Sequence, residues 1–537
     1  MSRGVIMMNN DLKQMFLFLV IGFCAAFAYY VTGLFFENPL DLMLEGEKAP
    51  LILFIVVLLV ELVGLFYLSF KLKNFGSHAP NSYGTAMLLN PKQAKTQKKD
   101  VFGNDGVILS KNLRLTGKKS FEHICLIGPT GSGKSASTFI PNLLDLDQNS
   151  SAVVTDPKGE LAEKTAARLI QRGFQILILA PERKQTMSWN LLANCKDEEE
   201  VIQLADLIMA NGGAAMEQLT GTKQGGAEWL SMGSNLFKAS LLYEYRNGLR
   251  TVSEAVRNLN KKPMEELESM FESDDYALEY WNIFKQSATS ENTAASIRST
   301  VSNNTAIFLS KNVQKLTNHK QLSSELLRSK PTVLFIQYPE EKSALYAPVF
   351  APIFSQMLSH IKAQNGCPVY FFLDEFANIG RIGGIDNLAA TIRSRKMSLL
   401  LGIQSIKQLE KNYGRNDAIA LMENLKTKIF LPGISGDTAK YASDLAGQTE
   451  MKTLSTSYGK NSNTSYSHST TKRELFSADE IRRMKDETCL LIIENMNPIY
   501  DQQMRYYKDK NLIAYSNLHF DNDEYLKKKA DTTFELE

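Results

Sequence analysis

The segment that most constrains this chain is Gly128-Pro129-Thr130-Gly131-Ser132-Gly133-Lys134-Ser135, which satisfies GxxxxGK[ST] at every position. It follows an apolar run at 123–127 and opens, through Ala136, into a stretch of helical character. In that setting the glycines let successive backbone N–H groups wrap phosphate oxygens, and the following helix adds its partial positive charge. Lys134 reaches the β and γ oxygens, and Ser135 can ligate Mg²⁺. The competing reading is a chance glycine-rich turn, which the strand before it argues against. Residues 128–136 are therefore expected to bind ATP with Mg²⁺ on an α/β fold.

A second run, 369–373, ends in Asp374-Glu375. A buried strand there delivers Asp374 to the Mg²⁺ shell, and Glu375 can polarise the attacking water. Gln404 closes the run 398–403, which is expected to lie beside the Asp374 strand, so that its amide senses the γ-phosphate. Arg393 and Arg395 precede that run and are candidate fingers toward a neighbouring subunit's nucleotide. Solvated charges at a helix end are the competing reading for both. With Lys134, these residues form the predicted catalytic set.

Eight short β-rich runs recur, at 123–127, 152–155, 175–179, 332–337, 369–373, 398–403, 428–431 and 489–493. Near-continuous apolar runs of this length suit strands buried on both faces of a mostly parallel, doubly wound sheet. From 192 to 321 the rhythm stops. Val201, Leu204, Ala205, Ile208 and Met209 fall on one helical face, predicting an all-α domain inserted between α/β parts at 75–191 and 322–520. The polar stretch 454–471 predicts a mobile loop. The final segment, 521–537, with six acids and three lysines, predicts a frayed tail.

Before the α/β region lie 22 uncharged residues, 15–36, and a further 20, 51–70, carrying only Glu61. Each is long enough to cross a hydrocarbon core of about 30 Å. A cleaved leader is the alternative for the first, given Ala26-Phe27-Ala28, but a second span follows within fifteen residues. Lysines 71, 73, 92, 95, 98 and 99 follow the second span, and the short connection between spans is acidic. The basic flanks predict a multi-pass anchor, 1–74, in a cell membrane with both ends and the soluble domains in the cytoplasm. Glu61 is open to two readings, a polar partner in an oligomeric bundle or an acid with no role.

With 60 Lys+Arg against 58 Asp+Glu the net charge is +2, which excludes a histone-like basic protein and an acidic disordered chain. The five cysteines include no CxxC pair, which argues against a zinc site or disulfide framework.

Taken together, these motifs resemble the VirD4/TraG family of type IV secretion coupling proteins. The resemblance runs through Tyr83-Gly84-Thr85-Ala86, the P-loop, and the distinctive Thr155-Asp156-Pro157-Lys158-Gly159-Glu160. It continues through Arg298-Ser299-Thr300, Asp374-Glu375-Phe376, Gln404-Ser405, Gln408-Leu409, Tyr413-Gly414 and Phe476-Ser477-Ala478-Asp479-Glu480-Ile481. Trp189-Asn190-Leu191-Leu192 departs from the family's Asn-Pro-Leu at the lead-in to the insertion. The resemblance implies a RecA-like ATPase forming a homo-hexameric ring at the membrane. It would dock a relaxase with its single-stranded DNA, or a protein substrate, onto type IV secretion channel subunits through the inserted helical domain. A DNA translocase of the FtsK or HerA kind shares the core, and a docking receptor merely switched by nucleotide is a third reading.

Overall fold

The computed structural model describes residues 26–44, 46, 48–76, 84–221, 227–362, 365–458 and 464–534. It divides into two compact units, Met1–Gly84 and Thr85–Glu537. In the first, one helix, Lys48–Gly76, takes in the whole second apolar stretch. Residues 15–25 of the first stretch lie outside the described residues, as do most side chains of the second beyond Val63. Among the described residues no helix is long and apolar enough to cross a membrane.

The second unit is built on a nine-stranded sheet. Its strands are β1 (Ile124–Ile127), β2 (Ser151–Thr155), β3 (Gln175–Leu179), β4 (Thr332–Ile336), β5 (Val369–Leu373), β6 (Met397–Ile403), β7 (Thr427–Phe430), β10 (Thr488–Ile493) and β11 (Ile499–Gln502). The order across the sheet is β11-β10-β7-β1-β6-β5-β2-β4-β3. Strands β1 to β7 run parallel, whereas β10 is antiparallel to β7 and β11 is antiparallel to β10. All eight expected runs are strands, with ends within about one residue, and β11 is additional. Alternate residues feed two cores, one on each face. Cys125 and Ile127 join the first, while Ile124 and Leu126 join the second. That two-sided burial is why these runs carry no polar alternation.

Every described element between β3 and β4 is helical, from Glu198–Thr220 to Leu326–Ser329. Asp197 caps the first helix by accepting from Glu200 N–H at 2.9 Å. Val201, Leu204, Ala205, Ile208 and Met209 are all buried, in a cluster that also holds Val153 and Leu177 of the sheet. The insertion thus shares its hydrophobic core with one sheet face. Its two ends are joined where Trp189 N–H donates to Leu316 O at 2.7 Å and Leu322 N–H donates to Ser188 O at 3.1 Å. The departure at Trp189 is a packing anchor, because its buried indole donates to Gln356 Oε1 at 2.8 Å.

Two expectations are corrected. The described residues of that stretch, 454–458 and 464–471, do not form a mobile loop. They belong to an antiparallel hairpin, β8 (Gln448–Tyr458) with β9 (Thr464–Glu474), paired from Gln448↔Glu474 to Tyr458↔Thr464. Ladder hydrogen bonds need no apolar side chain, and threonine and tyrosine favour the extended backbone, so low hydrophobicity does not exclude paired strands here. The tail is not frayed over its described residues either, since Asn522–Phe534 is a helix. Asn522 and Leu526 are buried, and Tyr525 Oη donates to Ile176 O at 2.8 Å. These residues fall on one helical face, which a count of charges does not register.

Candidate nucleotide site

The loop 128–135 leaves the C-terminal end of β1, at the middle of the sheet. A Cβ on Gly128 would meet Ser132 Oγ at 2.5 Å and Leu431 Cβ at 2.9 Å, so this position admits only glycine. Gly131 and Gly133 have φ of +80° and +92°, the left-handed region that glycine enters without strain. Ser135–Phe139 then makes a single π turn before the helix Ile140–Leu144. Lys134 is 6% exposed and curls back over the loop. Its Nζ donates to Gly128 O at 2.9 Å and lies 3.3 Å from Glu375 Oε1.

Parallel pairing of β1, β6 and β5 brings the other predicted residues to the same edge. Ser135 Oγ donates to Asp374 Oδ2 at 2.8 Å. Asp374 is nearly enclosed, and burial pushes its carboxyl up to about 6, although the Ser135 hydrogen bond and the Lys134 charge pull the other way. A divalent cation would reverse that penalty by supplying the missing positive charge. Among the described residues there is no cluster of three His, Cys, Asp or Glu suited to a metal. A hydroxyl and one carboxylate are instead the protein's share of a Mg²⁺–nucleotide shell, and Ser135 with Asp374 fit it. Glu375 sits at φ +52°, a conformation costing a non-glycine residue about 1–3 kcal/mol. Its carboxylate spans two partners, with Oε1 toward Lys134 and Oε2 accepting from Gln404 Nε2 at 2.9 Å. The open cleft in front of these groups is lined by Thr130, Gly131, Ser135 and Ala136 on the loop side and by Lys158 and Glu340 opposite.

The family model for type IV secretory system conjugative DNA transfer matches residues 85–528, most of the chain. The chain belongs to this family. Among its relatives are protein VirD4 of Rhizobium radiobacter, 24% identical over 73% of this chain, and protein VirD4 of Rhizobium rhizogenes, 24% identical over 96%. The matched part spans 58% of the first relative and 83% of the second. A similar fold is seen in the plasmid coupling protein TrwB in complex with ADP and Mg²⁺, with a TM-score of 0.61 at 16% identity. The match covers 80% of this chain and 96% of that one.

The segments that carry the resemblance to conjugative DNA transfer proteins divide between chemistry and architecture. Asp156 is 1% exposed and accepts from Leu161 N–H, Ala162 N–H and Gln337 Nε2, so it starts the helix Glu160–Gln171. Lys158 is exposed at the cleft and lies 3.8 Å from Glu340. Phe476–Ile481 forms a capping box, in which Ser477 and Glu480 each satisfy the other's backbone N–H. Phe376 and Tyr413 stack at 5.7 Å.

Arg393 and Arg395 stand elsewhere. They form a 3₁₀ turn before β6, at the end of the sheet opposite Gln404 and about 20 Å away at some 3.3 Å per residue. Arg393 is ion-paired with buried Glu122, and the Arg395 carbonyl accepts from Arg328. Neither guanidinium reaches this chain's own loop. Sequence reading missed Glu340 and the segment after β11, whose Gln503 and Arg505 approach Gly133. Glu340 follows a strand and a proline and carries no motif. Arg505 follows a strand too short to announce itself.

Proposed function

We propose that the chain is a membrane-anchored, Mg²⁺-dependent ATPase that recruits relaxase-bound single-stranded DNA to a type IV secretion channel and energises its transfer. One observation carries the ATPase reading: Lys134, Glu375 and Gln404 form a continuous contact chain beside the Ser135–Asp374 pair. Lys134 holds the phosphates, and Ser135 with Asp374 holds Mg²⁺, whose charge would withdraw electrons from the γ-phosphoryl group. Glu375 takes the proton of the attacking water, and Gln404 fixes that carboxylate and reports on the γ-phosphate. The family supplies the substrate class and machine, and the apolar stretches 15–36 and 51–70 supply the anchor. The shared core of the helical insertion fits a recognition element moved by the same sheet that binds nucleotide. In a homo-hexamer, Arg393 and Arg395 would act only on a neighbouring subunit's nucleotide, and Arg393 only after leaving Glu122. The test is steady-state ATP hydrolysis by the purified chain with and without single-stranded DNA. Stimulation by DNA that Lys134→Ala abolishes supports the motor. Tight nucleotide binding with no turnover under any condition supports the docking receptor.

A further inference from the structure

The nucleotide loop has a second neighbour that none of its motifs includes. Strand β11 is antiparallel to β10, which is antiparallel to β7, so β11 runs in the same direction as β1. Residues after Gln502 therefore emerge at the edge where the loop begins. The short turn Tyr506–Lys508 packs against the π turn Ser135–Phe139. A Cβ on Gly133 would lie 3.5 Å from Gln503 Oε1 and 3.6 Å from Arg505 Nη2, which puts a guanidinium against the loop's last glycine. Gln503 is 6% exposed and fixed by its own donation to Thr488 O at 3.0 Å. It accepts from Arg505 Nε at 3.3 Å, while Arg505 Nη1 donates to Tyr507 Oη at 2.6 Å. Among the described residues Arg505 hydrogen-bonds only to these neutral partners, and the Glu487 carboxylate, which feels its charge without touching it, is ion-paired with Lys508. An arginine aimed by two neutral side chains, with no carboxylate hydrogen-bonded to it, can still take an anion in a charge-assisted hydrogen bond.

Sheet order decides which part of a nucleotide it meets. Glu375 lies on the β5 side of β1 and Arg505 on the β7–β11 side. A nucleotide whose γ-phosphate faces Glu375 must extend its α-phosphate and nucleoside toward the opposite side of the loop. We propose that Arg505 binds the α-phosphate of the nucleotide held in its own subunit, and that the Tyr507 ring, 42% exposed beside it, stacks on the base. This rests on the reading that the P-loop binds ATP.

The experiment measures dissociation constants of the full chain for Mg-ATP, Mg-ADP and Mg-tripolyphosphate. Because an unfolded fraction lowers the amount bound and leaves the constant unchanged, the constants report the contact itself. Arg505→Ala should weaken ATP and ADP by the same factor, roughly ten- to a hundredfold for a charged hydrogen-bonding group. Arg505→Lys should recover part of the loss. Tyr507→Ala should weaken both nucleotides by about tenfold more than it weakens tripolyphosphate, because the lost ring touches only the base while the lost hydroxyl, which aims Arg505, acts on all three. Parent-like affinities for ATP and ADP in Arg505→Ala overturn the assignment. So does a loss confined to ATP, which would place Arg505 at the γ-phosphate. An equal loss of tripolyphosphate in Tyr507→Ala removes the base contact. Lys134→Ala separates the two levels. If it keeps parent affinity, the P-loop reading fails, and if it alone loses affinity, only the Arg505 subsite fails.

Discussion

Replacing Glu375 with glutamine isolates the charge of one side chain from its shape. The carboxylate lies 3.3 Å from Lys134 Nζ and accepts from Gln404 at 2.9 Å, and an amide of the same size keeps its oxygen toward Lys134 and its NH2 toward Gln404 once the Gln404 amide turns to present its own oxygen. The backbone at φ +52° is as strained for glutamine as for glutamate, so that cost cancels between parent and variant. What disappears is the base. General-base catalysis contributes about 10²–10⁴-fold, equivalent to roughly 3–5 kcal/mol of barrier. ATP binding should persist or tighten, because Lys134 loses its carboxylate partner and the phosphates lose a nearby negative charge. Lys134→Ala should behave differently, losing affinity as well as turnover, since it removes the charge-assisted contact to the phosphates. Phosphate release and equilibrium nucleotide binding, measured side by side on the two variants, separate these cases. Near-normal turnover in Glu375→Gln would refute its role as the water-activating base while leaving the P-loop reading intact.

Gln404→Ala should lower turnover with little change in ADP affinity, because it frees the carboxylate that Gln404 now fixes. About tenfold is expected for one hydrogen bond to a charged group, and an effect on ADP binding as large as that on turnover would contradict it. The pH dependence of stability should tilt in opposite directions for two buried groups. His123 Nε2–H donates to Ala389 O at 2.7 Å and Nδ1 accepts from Leu399 N–H at 3.1 Å, and burial, helped by Arg393, holds the ring down to about 4 from 6.5. Its contribution is full above pH 6.5 and is lost as pH falls through 4. Burial pushes Asp156 up to about 6 from 3.8, against the pull of its three donors, so its contribution is full below pH 3.8 and is lost as pH rises through 6. Between pH 4 and 6 the two oppose each other, each by something on the order of 3 kcal/mol. His123→Asn tolerates the left-handed φ of +62° and should flatten the acid loss of stability. Asp156→Asn should steepen it. Denaturant unfolding across that range decides, and tilts of the same sign would contradict the assignment.

Features legible in the sequence were those fixed by local requirements. Strands buried on both faces must be apolar throughout, so eight of them could be read without knowing their neighbours. Glycines at 128, 131 and 133 are dictated by a steric contact and two positive φ values within one loop. The acid pair Asp374-Glu375 could be read because a buried strand leaves its polar residues at its end. The hairpin 448–474 and the helix at 522–534 escaped because the first is held by backbone pairing and the second by a narrow apolar face among charges.

Only the tertiary structure decided which charged residues share a site. Gln404 and Arg393 flank the same strand, yet one touches Glu375 and the other lies a strand length away with Glu122. Arg505 stands far from the loop in sequence and beside it in space, because two successive antiparallel pairings turn β11 back into the direction of β1. Strand order and direction come from pairings between distant segments. Those pairings are chosen by the burial of whole sheet faces, so no local pattern of residues can specify which side chains they bring together.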